Sequence, residues 1–188
     1  MSGPVEFPEE GLSDGRIRLR LLGEDDLAEI AEACGDPDIA RFTRVPSPYT
    51  LEEARSWMVT TRAGLRAGTD LHPLVVDAHS GELLGACGVA QRPGDPGNWG
   101  IGYWIVKAHR GRGVASGAVR LLAAYAFDRL GVERLELQAE AINPGSIATA
   151  ETCGFKREGE LRSFLEIAGE RRDMVSFSLL PGEPLQRA

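Results

Sequence analysis

The stretch that decides the fold is Tyr103–Ser116, YWIVKAHRGRGVAS. It begins inside Asn98–Val106 (NWGIGYWIV), a run of aromatic and β-branched residues that predicts a strand. It ends by entering a segment that reads as a helix to Leu130, stopped by Gly131 at the position where helices favour glycine. Between strand and helix stand Arg110, Gly111, Arg112, Gly113, Val114 and Ala115. Glycine lets backbone approach a ligand closely, and the free N–H groups of a helix start hold an anion. Arg110 and Arg112 add positive charge, so the local chemistry suits a pyrophosphate; a glycine-rich turn without a ligand reads equally well. A dinucleotide fingerprint, Gly111-x-Gly113-x-x-x-Gly117, fits poorly. The polar residues Lys107–Arg110 separate the glycines from the strand end where that motif needs them.

Working outward, Ile17, Leu19 and Leu21 alternate with Arg16, Arg18 and Arg20, a strand with one buried face. Glu24–Cys34 carries Leu27, Ile30, Ala31 and Cys34 at helical spacing, and Asp36-Pro37 breaks it. Thr50-x-x-Glu53 is a capping box that predicts a helix over 51–67. Pro46–Tyr49 is a loop, either a substrate lid or a connector. His72–Asp77 and Leu83–Ala90 read as a hairpin, and Gln91–Gly97 as a loop. Gly100 and Gly102, inside the next strand, mark a bulge or a close approach.

Downstream, Val132–Glu140 alternates, with Leu135, Leu137 and Ala139 on one face and Glu136, Gln138 and Glu140 on the other. Asn143-Pro144 is a cap with a first-turn proline, opening a helix that ends at Gly154. Strands near 158–167 and 171–179 close the chain. The order β-α-α-β-β-β-α-β-α-β-β makes one α/β domain around a mixed sheet with a mainly antiparallel first half. Residues 1–15 read as a flexible N-terminal segment, 16–180 as the domain, and 181–188 as a frayed tail.

Composition narrows the partners. The chain has 188 residues, which is one domain's length, with 43% apolar and 26% charged content. Its 23 Gly and 11 Pro make it turn-rich, yet below the roughly 25–30% that marks low-complexity chains. A formal charge of −7 argues against a nucleic-acid partner and favours a cationic substrate. The first fifteen residues lack the basic start and apolar run of a signal peptide. The longest apolar run, Leu121–Phe127, is far short of a membrane span, so no membrane partner is expected. Cys34, Cys87 and Cys153 are scattered and read as reduced thiols of a cytoplasmic protein. The 3 His share no ligand spacing, so no metal is expected.

Arg110-x-x-Gly113-x-Ala115 resembles the acyl-CoA pyrophosphate loop of the GNAT superfamily of N-acetyltransferases. Asn143-Pro-Gly-Ser146, followed by Gly154-Phe155, resembles that superfamily's second signature. The ordered set is similar to the branch holding ribosomal-protein N-terminal acetyltransferases. The resemblance implies a single GNAT-like domain with a splayed central strand pair and acetyl-CoA as cosubstrate. The strand end Trp104, Ile105 and Val106 would then bind the acyl-pantetheine arm through backbone, like an added strand. The amides of Gly111, Arg112, Gly113, Val114, Ala115 and Ser116 would hold the pyrophosphate. Asn143 would contact the pantetheine arm, and Ser146 would lie near the thioester sulfur. The acceptor is an amine, either a peptide N-terminus or a small amine, and a homodimer is left open.

Two departures bear on mechanism. Many members carry a tyrosine seven residues after the asparagine to protonate the leaving thiolate; here that position is Ala150. Ser146 is the remaining donor. Some members carry a glutamate five residues before the asparagine as general base; here it is Gln138. Others use an acid after Gly-Phe, where this chain has Leu165 beside Glu166. Glu140, on the polar strand face, is the candidate to receive the proton, against a plain reading as an exposed strand carboxylate. Without a base, acceptor chemistry matters. At pH 7 a lysine is neutral roughly once in 2,500, an α-amine roughly once in seven. That tilts the reading towards α-amines. On the acceptor side, Phe42, Tyr49 and Trp57 lie where the family shapes its pockets, though Trp57 also suits core packing. A CoA-binding sensor or partner protein with little catalysis needs the same donor motifs, and turnover on a panel of amines separates the two.

Overall fold

The computed structural model describes residues 3–185. Two strands open the chain, β1 (Leu12–Ser13) and β2 (Ile17–Arg20), followed by the helices α1 (Leu27–Ala33), α2 (Pro37–Phe42) and α3 (Leu51–Ala67). Four strands come next: β3 (Asp70–Leu71), β4 (Leu74–Asp77), β5 (Leu83–Arg92) and β6 (Asp95–Ile105). Then α4 (Val114–Arg129), β7 (Arg134–Glu140), α5 (Pro144–Thr152) and the hairpin of β8 (Lys156–Ile167) and β9 (Glu170–Leu179) complete the domain. The strands form one sheet in the order β1-β2-β4-β5-β6-β7-β9-β8, with β3 paired to β5.

The helix ends follow the caps read in the sequence. Thr50 accepts the Glu53 amide at the start of α3, and Asn143 accepts the Ser146 amide at the start of α5. Each cap satisfies a donor that helix geometry leaves free. Period-two alternation puts Leu135 and Leu137 under α4, with Leu122 and Phe177. Leu74, Val76, Ala86 and Trp104 face the other way, under Ile30 and Met58. A fully buried Leu or Phe contributes about 1.5–3 kcal/mol, so both faces of the sheet are firmly covered where these clusters lie.

Several elements depart from the sequence reading. Asp36-Pro37, read as a break, begins α2: Asp36 accepts the Asp38 amide and Pro37 fills the first helical position. The loop expected over Gln91–Gly97 is mostly strand, because β5 and β6 turn tightly through Pro93-Gly94 with Gly94 at φ 82°. The strands β1 and β3 are only two residues each, too short to show a period. The segment set apart as a flexible start is packed. The Val5 amide donates to the Leu65 carbonyl at 2.9 Å, and the Phe7 ring meets Tyr125 edge-on at 5.5 Å between centroids. Val5, Phe7 and Leu12 show no periodicity, yet each covers core residues. In the tail, Glu183 pairs with Lys156 and accepts the Leu180 amide; residues 186–188 lie outside the described residues. No helix among the described residues is long and apolar enough to cross a membrane.

The feature that creates a site is the junction of β6 and β7, the sheet's parallel pair. Pairing runs from Asn98↔Arg134 to Ile101↔Leu137 and stops. Beyond it, Gly102–Ile105 stay bonded to β5, while Gln138–Glu140 stay bonded to β9. Each strand follows its antiparallel neighbour, so the two diverge. Their facing edges keep backbone N–H and C=O groups that need partners.

Candidate active site

A cleft of about 1390 Å³ opens at this divergence. A pocket for one small molecule usually measures about 300–1,000 Å³, so this one has room for two reactants. Its lining includes Ser146, Asn143 and the loop before α4, together with Phe42, Tyr49 and Trp57. Trp57 does both jobs weighed for it, packing against the core under α1–α3 while facing the cleft.

The loop fits an anion by its backbone. Gly111 and Gly113 have φ of 72° and 77°, which only glycine adopts without strain. Gly113 caps α4, and no side chain caps that helix. The first amides of a 16-residue helix are therefore left to a ligand, at the positive end of its dipole. The Ser116 hydroxyl turns back to the Gly113 carbonyl at 3.0 Å, so only the Ser116 amide is offered. The side-chain charges do not act as the sequence suggests. Arg110 reaches Asp36 at 2.5 Å and Asp38 at 3.1 Å, and its Nε donates to the Ile105 carbonyl at 3.0 Å. Burial opposes the Asp36 carboxylate, but the Asp38 amide and Arg110 outweigh it and hold its pKa below the ordinary value. Arg110 thus braces the loop against α2 and the end of β6. Arg112 is exposed, and its side chain does not line the cleft.

Trp104 and Ile105 line the cleft, and Val106 donates to the Leu84 carbonyl at 2.9 Å, which anchors the far end of the diverging strand. Ser146 lies in the first turn of α5, its amide held by Asn143 at 3.0 Å. Asn143 is therefore a cap and a cleft residue at once. Facing Ser146 is a residue that the sequence reading passed over. The Tyr103 hydroxyl donates to the Ser146 Oγ at 3.0 Å, from the diverging part of β6. Burial raises the Tyr103 pKa against the opposing hydrogen bonds with Ser146 and Thr149, so the phenol stays protonated. The partners are 43 residues apart, and no local pattern reveals them.

The proposed proton acceptor Glu140 lies elsewhere. It is buried, with its Oε1 3.7 Å from the Arg172 Nη1, and it does not line the cleft. Alternation alone put it on the exposed face; packing under Arg172 removes it from solvent and substrate. Gln138 and Leu165 do line the cleft, and Glu166 is exposed outside it. Gly102 also lines the cleft and leaves it bare there: a Cβ would meet no atom within 4 Å. His109 is tied to Glu82 at 3.1 Å. Cys34, Cys87 and Cys153 are unpaired and buried, and burial pushes Cys34 up to about 12 and Cys153 to about 11. No cluster among the described residues has the donors to hold a metal ion.

A family model described as an acetyltransferase (GNAT) domain matches residues 16–156. The chain belongs to the GNAT acetyltransferase family. The uncharacterized N-acetyltransferase p20 of Bacillus licheniformis is 29% identical over 175 residues, spanning 93% of this chain and 98% of that protein. Mycobacterium smegmatis RimJ, solved in complex with CoA-disulfide, has a TM-score of 0.80 at 22% identity, covering 95% of this chain and 86% of that one. RimL, a ribosomal L7/L12 alpha-N-protein acetyltransferase solved with coenzyme A, has a TM-score of 0.80 at 20% identity, covering 90% and 96%. At these identities the two structures share the fold. As a GNAT acetyltransferase the protein transfers an acetyl group from acetyl-CoA to an amine. The uncapped start of α4 and the unpaired edges of β6 and β7 fit the donor's pyrophosphate and its amide-bearing arm.

Proposed function

We propose that the acceptor is the α-amine of a basic peptide or protein N-terminus. The observation that carries this reading is the floor of the cleft. Gln138 and Leu165, at the positions where the resemblance gives some family members a carboxylate, line the cleft, and so does Gly102, which leaves open space above it. No carboxylate there can strip a lysine, whose pKa is about 10.4, whereas an α-amine near 7.8 arrives partly neutral. The formal charge of −7 favours a cationic acceptor, and the shared fold with an alpha-N-protein acetyltransferase supports the same choice. The neutral amine attacks the thioester carbon, and Ser146 donates a hydrogen bond to the departing sulfur. Three buried, unpaired cysteines suit a reducing cytoplasm.

The test is thiol release from acetyl-CoA with two peptides of one basic sequence. One has a free α-amine; the other is blocked at its N-terminus and keeps an internal lysine. The free peptide is acetylated faster from pH 6 to 9. Preference for the blocked peptide refutes the α-amine reading.

A further inference from the structure

We propose that His72 is the base that takes the proton from the acceptor amine, and that Asp70 positions it. The inference rests on the amine approaching over Gly102, as in the function proposed above. His72 follows β3 and lines the cleft. The β3–β5 register, Asp70↔Ala90 and Leu71↔Val89, carries it opposite Gly88. Its ring lies on bare backbone there: a Cβ on Gly88 would stand 1.9 Å from the His72 Nδ1. Gly88 pairs in turn with Gly102. Opposed residues of an antiparallel pair sit about 4.5–5.5 Å apart, so the imidazole borders the open space above Gly102. Gly102 is also the first residue of β6 beyond the parallel pairing.

Asp70 completes the arrangement from behind. Its Oδ1 lies 3.7 Å from the His72 Nε2, and Thr69 Oγ1 donates to its Oδ2 at 2.7 Å. The nearby His72 ring, against burial and with help from the Thr69 hydroxyl, lowers the Asp70 pKa and keeps it an anion. An anion at Nε2 favours the tautomer with the proton on that nitrogen, which leaves the Nδ1 lone pair on the Gly88 side. Room for the pair comes from two glycines. Gly88 admits the ring, and a Cβ on Gly64 of α3 would stand 2.4 Å from the Asp70 Oδ2. The other charged groups and histidines lining the cleft are Asp38, Arg44, Glu53, Arg92, His109 and Arg110. Of these, Arg92 is paired with Glu136, Arg110 with Asp36 and Asp38, and His109 with Glu82.

In the step assigned, the C–N bond forms as the C–S bond breaks. The surplus proton passes from nitrogen to Nδ1 and then to solvent. CoA leaves as the thiolate, beside the Ser146 hydroxyl, and is protonated from solvent. An imidazole suits this acceptor. The gap between an α-amine near 7.8 and a lysine near 10.4 makes the same transfer about 400-fold less favourable for lysine.

The experiment is the pH dependence of kcat from pH 5 to 9, for whichever amine the wild type acetylates. The choice of acceptor is thus judged separately from the choice of base. His72→Gln should lower kcat about 100-fold, with the KM for acetyl-CoA and the Tm unchanged, and should remove the acid limb of the wild-type profile. His72→Gly should regain rate with added imidazole, which enters the space over Gly88. Asp70→Asn should lower kcat about tenfold in the wild type and have no further effect in the His72→Gln background, because the two residues act as one unit. A His72→Gln enzyme within threefold of wild-type kcat, or one that keeps the acid limb, overturns the proposal. So does a His72→Gly enzyme that folds and binds acetyl-CoA but ignores imidazole.

Discussion

Ser146 and Tyr103 are joined by one hydrogen bond within the cleft. A serine hydroxyl has one hydrogen to donate and lone pairs to receive. Tyr103, kept protonated by burial, donates into one of those lone pairs at 3.0 Å. The serine hydrogen is then free to point into the cleft, where the function proposed above puts the departing sulfur. Ser146→Ala should lower kcat about ten- to a thousand-fold with acetyl-CoA affinity unchanged, the scale of one lost hydrogen bond to a developing charge. Tyr103→Phe should lower kcat about three- to tenfold in the wild type and have no effect in the Ser146→Ala background, since coupled groups lose their effect together. Equal losses from Tyr103→Phe in both backgrounds would mean the phenol serves packing alone. The serine was legible because its motif is local: Asn143, Pro144 and Ser146 stand within one helical turn. Tyr103 and His72 were not, since their meaning depends on strands brought together from distant parts of the chain.

Helices and strands differ in how much they disclose before folding. Thr50, Asn143 and Gly131 announce helix boundaries because caps are chemistry within a few residues. The Asp36-Pro37 pair is ambiguous, being both a break for one helix and a start for the next. The position at which β6 and β7 part cannot be read from either strand, because it reflects the pull of β5 and β9. The loop into α4 has the positive-φ glycines that its sequence suggests, and it carries a prediction. A Cβ on Gly113 would meet nothing nearer than the Ser116 Oγ at 3.9 Å, so a side chain costs the fold only backbone strain at φ 77°. That strain is about 1–3 kcal/mol. A glutamate there adds bulk and negative charge at the helix start proposed to hold the pyrophosphate. Gly113→Glu should abolish CoA binding by calorimetry while circular dichroism stays native. Retained wild-type affinity would remove the loop from the donor site.

Charge pairing links the site to the stability of the whole domain. Arg110 with Asp36 and Asp38 ties α2 to the anion loop. Glu136 gathers Arg92, Asn98 and Arg134 where β6 and β7 still pair, and Arg134 continues to Glu158 on β8. The carboxylates of Asp36, Glu136 and Glu158 all have lowered pKa values in the fold. For Asp36 and Glu136 burial opposes the shift and hydrogen bonds outweigh it; for Glu158 the Arg134 hydrogen bond leads. A depressed folded pKa gives stability that is complete above the unfolded value, about 4, and is lost as pH falls through the folded value. The thiols work from the other side. Burial raises Cys34 to about 12 and Cys153 to about 11 from 9.0, so their stability is complete below 9.0 and lost as pH rises through those values. Thermal unfolding should therefore give a plateau in Tm between about pH 5 and 9, with a fall on each side. Glu136→Gln should flatten the acid fall, because its carboxylate no longer titrates differently in the two states, and leave the alkaline fall in place. Between about pH 5 and 9 a change in kcat therefore reports the chemistry and not unfolding. A wild-type Tm that drops as steeply from pH 8 to 6 as it does below pH 4 would break that separation.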